Sequence, residues 1–144
     1  MDNRESLQEN GIDFRIEDIS DVMLNTDQKW FAFMLGQLIS NSIKYKKADA
    51  ESYVKLYAKT DDKTSRVYIE DNGIGIPEAD LKRVFEKTFT GTNGVGRAKS
   101  TGMGLYIVKT LCEKMGHSIS IESEQGEWTR VSITVNKNEF YDVK

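Results

Sequence analysis

A chain of 144 residues with 38% hydrophobic and 30% charged residues suits one globular domain with a single core and excludes a disordered segment. A net charge of −3 and a pI near 5.3, with no basic stripe interleaved with aromatics, argue against a nucleic-acid partner. One cysteine, Cys112, and one histidine, His117, exclude an internal disulfide, a cysteine-based metal site and a multi-histidine centre, and no run is apolar and long enough to span a bilayer or act as a secretory signal.

Residues 1–11 are polar and read as a linker. Phe14, Ile16 and Asp18 alternate with Arg15, Glu17 and Ile19, an imperfect strand signal, and a second short strand runs through Val22 and Leu24. Thr26 or Asp27 is placed to cap a helix over residues 28–46, where Trp30, Phe31, Met34, Leu35, Leu38, Ile39 and Ile43 recur at helical period. Val54, Leu56 and Ala58 alternate with tyrosines and lysines, and the turn at Asp61-Asp62-Lys63-Thr64 folds this strand back into Arg66-Val67-Tyr68-Ile69-Glu70-Asp71 as a hairpin. Pro77, the one proline, opens a short helix over 78–85, where its missing N–H costs little. Residues 90–102 lose all periodicity and read as a mobile loop long enough to be functional. A helix over 104–115 and strands over 118–124 and 128–136, joined at Gln125-Gly126-Glu127, complete the domain, with 137–144 as a tail. The order implies an α+β fold: a two-layer α/β sandwich of a mixed five-stranded sheet with three helices on one face.

Three elements carry the chemistry. Asp71 continues the face of Val67 and Ile69, so a carboxylate falls on a buried strand face, where it is costly unless something pairs with it. Gly73 and Gly75 follow in Asp71-Asn72-Gly73-Ile74-Gly75-Ile76 and let the backbone turn tightly beside a ligand. The same six residues also fit an ordinary turn. On the first long helix Gln37, Asn41 and either Lys44 or Tyr45 form one polar stripe, which is either a solvent face or a site offering an amide oxygen, an ammonium and an aromatic ring. Ser100-Thr101-Gly102-Met103-Gly104-Leu105 opens the later helix, where free backbone N–H groups attract phosphate. Thr129 heads a stripe of Val131, Ile133 and Val135, so its hydroxyl could orient Asp71 directly or through water.

An Asn-x-x-Lys-Tyr helix, an Asp-x-Gly-x-Gly turn, a Phe-containing segment and a Gly-x-Gly helix start occur here in that order. In this the chain resembles, over roughly residues 12–136, the catalytic and ATP-binding domain of bacterial two-component sensor histidine kinases. That family shares its superfamily, and a Bergerat-type sandwich, with gyrase, mismatch-repair and heat-shock chaperone ATPases. The resemblance implies that Asn41 holds Mg2+, that Lys44 meets the ATP phosphates and that Tyr45 flanks the nucleotide. It implies that Asp71 accepts a hydrogen bond from the adenine amine in a pocket shaped by Gly73, Gly75 and Ile76, with Thr129 in support. Phe85 and Phe89 match the phenylalanine box, 90–101 the ATP lid, and Thr101, Gly102, Gly104 and Leu105 the second glycine box. Gln37 stands where many of these kinases have a first asparagine, and Trp128 where a glycine often precedes the threonine. The 91–106 cluster looks most like Gram-positive kinases of the antimicrobial-peptide-sensing type.

The resemblance further implies a γ-phosphoryl transfer to a histidine on a dimerisation domain upstream of residues 1–11, then to a response regulator, in the cytoplasmic part of a membrane-anchored parent. An ATP hydrolase of the same superfamily, or an anti-sigma-factor serine kinase, is the alternative. Both use a glutamate at the position of Gln37, which cannot take a proton at neutral pH. A non-catalytic module whose pocket regulates a partner is the third reading.

Overall fold

A computed structural model describes residues 3–18, 26–48, 50–87 and 104–136. They form strands β1 (Ile12–Glu17), β2 (Ser52–Thr60), β3 (Thr64–Asp71), β4 (Ser118–Glu124) and β5 (Trp128–Asn136), with helices α1 (Arg4–Glu9), α2 (Gln28–Lys44), α3 (Glu78–Leu81) and α4 (Gly104–Lys114). The strands make one mixed sheet in the order β1-β2-β3-β5-β4. β1 runs parallel to β2, and the other pairs are antiparallel. A parallel pair needs a crossover, and the segment carrying α2 supplies it. The expected mixed five-stranded α+β sandwich is therefore the observed one, and strands β4 and β5 fall on the residues their alternation marks.

One face of the sheet is dry. Val54 and Ala58 of β2, Val67 and Ile69 of β3, and Val131, Ile133 and Val135 of β5 meet Phe31, Met34 and Leu38 of α2 and Val108 and Cys112 of α4 in a single core. Each fully buried aliphatic side chain there contributes about 1.5–3 kcal/mol. The Cys112 thiol points at the Met34 sulfur, 3.7 Å away, so the lone cysteine is a packing group. Asp27 is the cap of α2, its Oδ1 accepting from Trp30 N–H at 3.0 Å. Thr26, the other cap candidate, instead bonds His117 Nε2 at 2.7 Å.

Three stretches depart from their sequence reading. The polar opening residues include a helix, α1, because Leu7 buries itself in the core and Asn3 ties the helix to α2, donating to Gly36 O at 3.0 Å and accepting from Ser40 at 3.1 Å. α2 stops at Lys44 rather than residue 46, with Tyr45 as its C-cap. α3 stops at Leu81 rather than residue 85, since Arg83 N–H and Glu86 N–H turn back to carbonyls only three residues away. The strand expected at Val22 and Leu24, the loop 90–102 and the tail 137–144 lie outside the described residues.

Candidate nucleotide site

The end of β3 and the turn after it are pinned from two sides. Ile74 N–H donates to Tyr45 O at 3.0 Å, fixing the turn to the C-terminus of α2, and Gly126 N–H donates to Ile74 O at 2.7 Å, fixing it to the β4–β5 hairpin. Both glycines are required by this packing. A methyl on Gly73 would stand 2.5 Å from Tyr45 O and 2.9 Å from Asp71 Oδ1. Gly75 has φ +72°, and a side chain there would run into Glu124 O. Asn72 holds the other flank, its Oδ1 accepting from Tyr53 N–H at 2.9 Å and its Nδ2 donating to Glu51 O at 2.8 Å.

Asp71 sits on the inner face, as the alternation requires, and is only 8% exposed. Burial raises its carboxyl, hydrogen bonds from the Ser42 hydroxyl and Gly73 N–H oppose that only in part, and the balance stands at about 6. The Gly73 bond is 2.9 Å long. Among the described residues no cation pairs with it. Thr129 is its direct partner across the β3–β5 ladder. The Thr129 hydroxyl lies 3.0 Å from Ser123 Oγ, and Ser123 in turn accepts from Ile76 N–H at 2.8 Å and reaches Trp128 O at 2.7 Å.

The α2 stripe forms one wall. Gln37, Asn41 and Lys44 are all half-buried. Burial lowers the Lys44 ammonium, whose Nζ lies 5.4 Å from the centre of the Tyr45 ring. Gly104 opens α4 close to this stripe: a methyl there would be 3.6 Å from Gln37 Oε1, so the start of the helix and the amide lie side by side. Phe85 is half-buried with Lys109 Nζ 5.3 Å from its ring, and Leu105 packs against the core. The structure thus brings Gln37 and Gly104 together, and Tyr45, Asp71, Gly73, Gly75, Ile76 and Thr129 together. Phe89, Thr101 and Gly102 lie outside the described residues.

Sequence reasoning missed Ser42 and Ser123. Ser42 follows Met34 and Leu38 at a spacing of four on the buried face of α2, which marks it as inward but not as a partner of Asp71. Ser123 had none, since it looks like any inward serine of an alternating strand.

The mixed five-stranded sheet with its helices on one face, and a buried acid beside a glycine turn, define the class: an α+β sandwich of the ATPase type. Residues 26–139 match the histidine kinase-, DNA gyrase B- and HSP90-like ATPase family, and the chain belongs to it. It is 39% identical over 111 residues to the sensor histidine kinase YxdK of Bacillus subtilis, covering 77% of this chain and 34% of that protein. It is 38% identical over 133 residues to the sensor protein BceS of Halalkalibacterium halodurans, covering 90% and 37%. The chain therefore spans little more than a third of the length of these relatives. The catalytic domain of histidine kinase ThkA shares the fold, with a TM-score of 0.77 at 24% identity over 95% of this chain and 88% of that one. ThkA in complex with response regulator protein TrrA superposes with a TM-score of 0.74 at 22% identity, over 94% of this chain and 37% of that one.

Proposed function

We propose that this chain is the ATP-binding catalytic domain of a sensor histidine kinase, which presents the γ-phosphoryl of ATP to a histidine on a separate dimerisation domain. The observation that carries this reading is Asp71: a buried carboxylate met by a hydroxyl and an N–H rather than a cation. The adenine amine supplies the missing donor. Tyr45 flanks the nucleotide, Gly73, Gly75 and Ile76 shape the base pocket, and Lys44 and the α4 N-terminus at Gly104 face the phosphates. Phe85 and Leu105 border the phosphate end, and Phe89, Thr101 and Gly102, outside the described residues, are assigned to nucleotide binding by the family resemblance alone. Transfer then rests on positioning and charge stabilisation, because phosphoryl transfer asks little covalent chemistry of the protein.

The donor set fits a magnesium ion carried on the nucleotide. Among the described residues no group of three or more His, Cys, Asp or Glu could hold an ion alone. Magnesium favours oxygen ligands and keeps waters, so the Asn41 amide oxygen beside the phosphates suffices. When bound, the ion neutralises phosphoryl charge. Asn41→Ala should abolish the magnesium dependence of nucleotide affinity while changing magnesium-free ADP binding little, and equal losses with and without metal would remove Asn41 from that role.

Gln37 favours transfer to protein over hydrolysis, since an amide cannot deprotonate water. His117 is not the acceptor: it is 6% exposed and bonded to Thr26. The acceptor belongs to the parent, upstream of α1, and a response regulator receives the phosphoryl from it. The parent is read as membrane-anchored with this domain on the cytoplasmic side; no described helix is long and apolar enough to cross a membrane. Calorimetric titration tests the reading. ADP and ATP should bind and GDP should not, and no acid-labile phosphate should form on the chain. Equal affinity for ADP and GDP, or none for either, would overturn it.

A further inference from the structure

The protons around Ser123 can be counted. Its oxygen lies 2.7 Å from the Trp128 carbonyl oxygen. Two oxygens that close require a proton between them, and a carbonyl has none, so the Ser123 proton is spent there. Ser123 also accepts from Ile76 N–H at 2.8 Å. The remaining contact, 3.0 Å to Thr129 Oγ1, needs a proton too, and only Thr129 can supply it. Ser123 then uses its single donor and both acceptor sites.

Thr129 faces Asp71 directly across the ladder on the inner face, at a spacing where opposed Cβ atoms stand about 4.5–5.5 Å apart. With its proton turned toward Ser123, Thr129 offers only lone pairs on the Asp71 side. An ionised Asp71 offers only lone pairs as well. A rim of acceptors attracts an N–H and repels a carbonyl.

We propose that Ser123 is a specificity-determining positioning residue of the nucleotide site. It draws the Thr129 hydroxyl proton away from the pocket and so leaves a rim that takes an amino group and rejects a carbonyl at the 6-position of a purine. This rests on the nucleotide reading above. It also disposes of direct donation from Thr129 to Asp71, leaving only the water-bridged form of that idea. Without Ser123, the Thr129 proton is free to turn into the pocket and donate to a carbonyl. The glycine turn should survive the change, because the Ile74–Tyr45 and Gly126–Ile74 backbone bonds hold it independently.

The test is a set of calorimetric titrations with ADP and inosine diphosphate, whose bases differ in presenting an amine beside a bare N1 in the first and a carbonyl beside an N1–H in the second. The proteins are the wild-type chain, Ser123→Ala, Ser123→Thr, Thr129→Val and the Ser123→Ala/Thr129→Val double variant. Ser123→Ala should shrink the preference for ADP about tenfold, the factor one hydrogen bond's worth of discrimination gives. The gain should come mainly from tighter inosine diphosphate binding. Ser123→Thr should restore the preference, and in the Thr129→Val background Ser123→Ala should leave it unchanged. Equal weakening of both ligands in Ser123→Ala would reduce Ser123 to a support of the turn and overturn the proposal, as would a changed preference that persists without the Thr129 hydroxyl. Wild-type protein that does not distinguish the two ligands would instead overturn the nucleotide reading, which the GDP titration and Asp71→Asn probe separately.

Discussion

Glu70 and Asp71 are neighbours at the end of β3, yet the sheet sends them to opposite faces and opposite fates. Glu70 lies on the outer face among donors: Tyr57 at 2.8 Å, Tyr53 at 3.1 Å and Arg130 Nε at 3.1 Å, with Arg130 held in turn by Glu122 at 3.0 Å. Burial pushes its carboxyl up, but the bonds from Tyr57, Arg130 and Tyr53 outweigh that and hold it below the usual carboxylate range. Asp71 has one hydroxyl and one N–H, too few to offset burial, and its carboxyl stands at about 6. A carboxylate that serves the fold is supplied with donors by the fold. One left short of them in a dry place is poised for a donor from outside.

The largest expected effect breaks this symmetry directly. Asp71→Asn replaces a charged acceptor with a neutral one and should weaken ADP binding by about 1.5–3 kcal/mol, the worth of a hydrogen bond to a charged group. Glu70→Gln should leave ADP affinity unchanged. Calorimetry on both variants checks the pair, and an equal loss in the two would erase the distinction between the faces.

The next effect reverses sign in the protein without nucleotide. The folded-state pKa of Asp71 is raised, from 3.8 to about 6. Its contribution is therefore intact below the unfolded value and is lost as pH rises through about 6. Above that the buried charge costs stability, and Asp71→Asn should be more stable than wild type at pH 8 by roughly 1–3 kcal/mol, a gap that closes near pH 4. Denaturant unfolding at the two pH values measures it. Binding runs the other way: wild-type ADP affinity should fall as pH drops through about 6, because protonation removes the charged acceptor.

Glu70 gives a smaller and opposite result. Its pKa is lowered in the fold, so its stabilisation is present at neutral pH and lost on acidification. Glu70→Gln should cost about 1–2 kcal/mol at pH 7, as the Arg130 guanidinium loses the more buried of its two carboxylate partners. An unchanged unfolding midpoint would mean that the Tyr53–Tyr57–Arg130 network is decorative.

The two faces were not equally readable in the sequence. Alternation along β3 and β5 placed Asp71, Thr129 and the apolar inner stripes, because period-two geometry is a local property. The glycines of the turn were legible for the same reason. The two serines were not: Ser42 comes from α2 and donates to Asp71, Ser123 comes from β4 and accepts from Ile76 N–H, and these pairings span tertiary distance that no local pattern encodes. α1 was missed because a single apolar residue, Leu7, in a polar stretch has no periodicity to show, although it is enough to dock one and a half turns once Asn3 is tied to α2. The shortened α3 reflects the reverse case, helical spacing without the backbone bonds to sustain it.

His117 supplies the smallest effect and a control on the rest. It is a structural residue: it follows Gly116 at the end of α4, and its Nε2 is hydrogen-bonded to the Thr26 hydroxyl at 2.7 Å. Burial lowers its pKa, partly opposed by a hydrogen bond with the Gly116 backbone. An imidazole kept neutral in the fold binds fewer protons than in the unfolded chain. Its stabilisation is thus present above the ordinary histidine value and is lost as pH falls below it, opposite in slope to that of Asp71. In wild type the two slopes partly cancel across the neutral range. In Asp71→Asn the histidine slope should stand alone, with stability falling as pH drops below the ordinary histidine value, and Thr26→Val, which removes the hydrogen-bond partner of Nε2, should cost about 1 kcal/mol at pH 7.5. Thr26 lies against Met115 and His117 rather than at Asp71, so the ADP affinity of Thr26→Val at pH 7.5 should equal that of wild type. A flat stability profile in Asp71→Asn would mean that His117 titrates alike in the folded and unfolded chain.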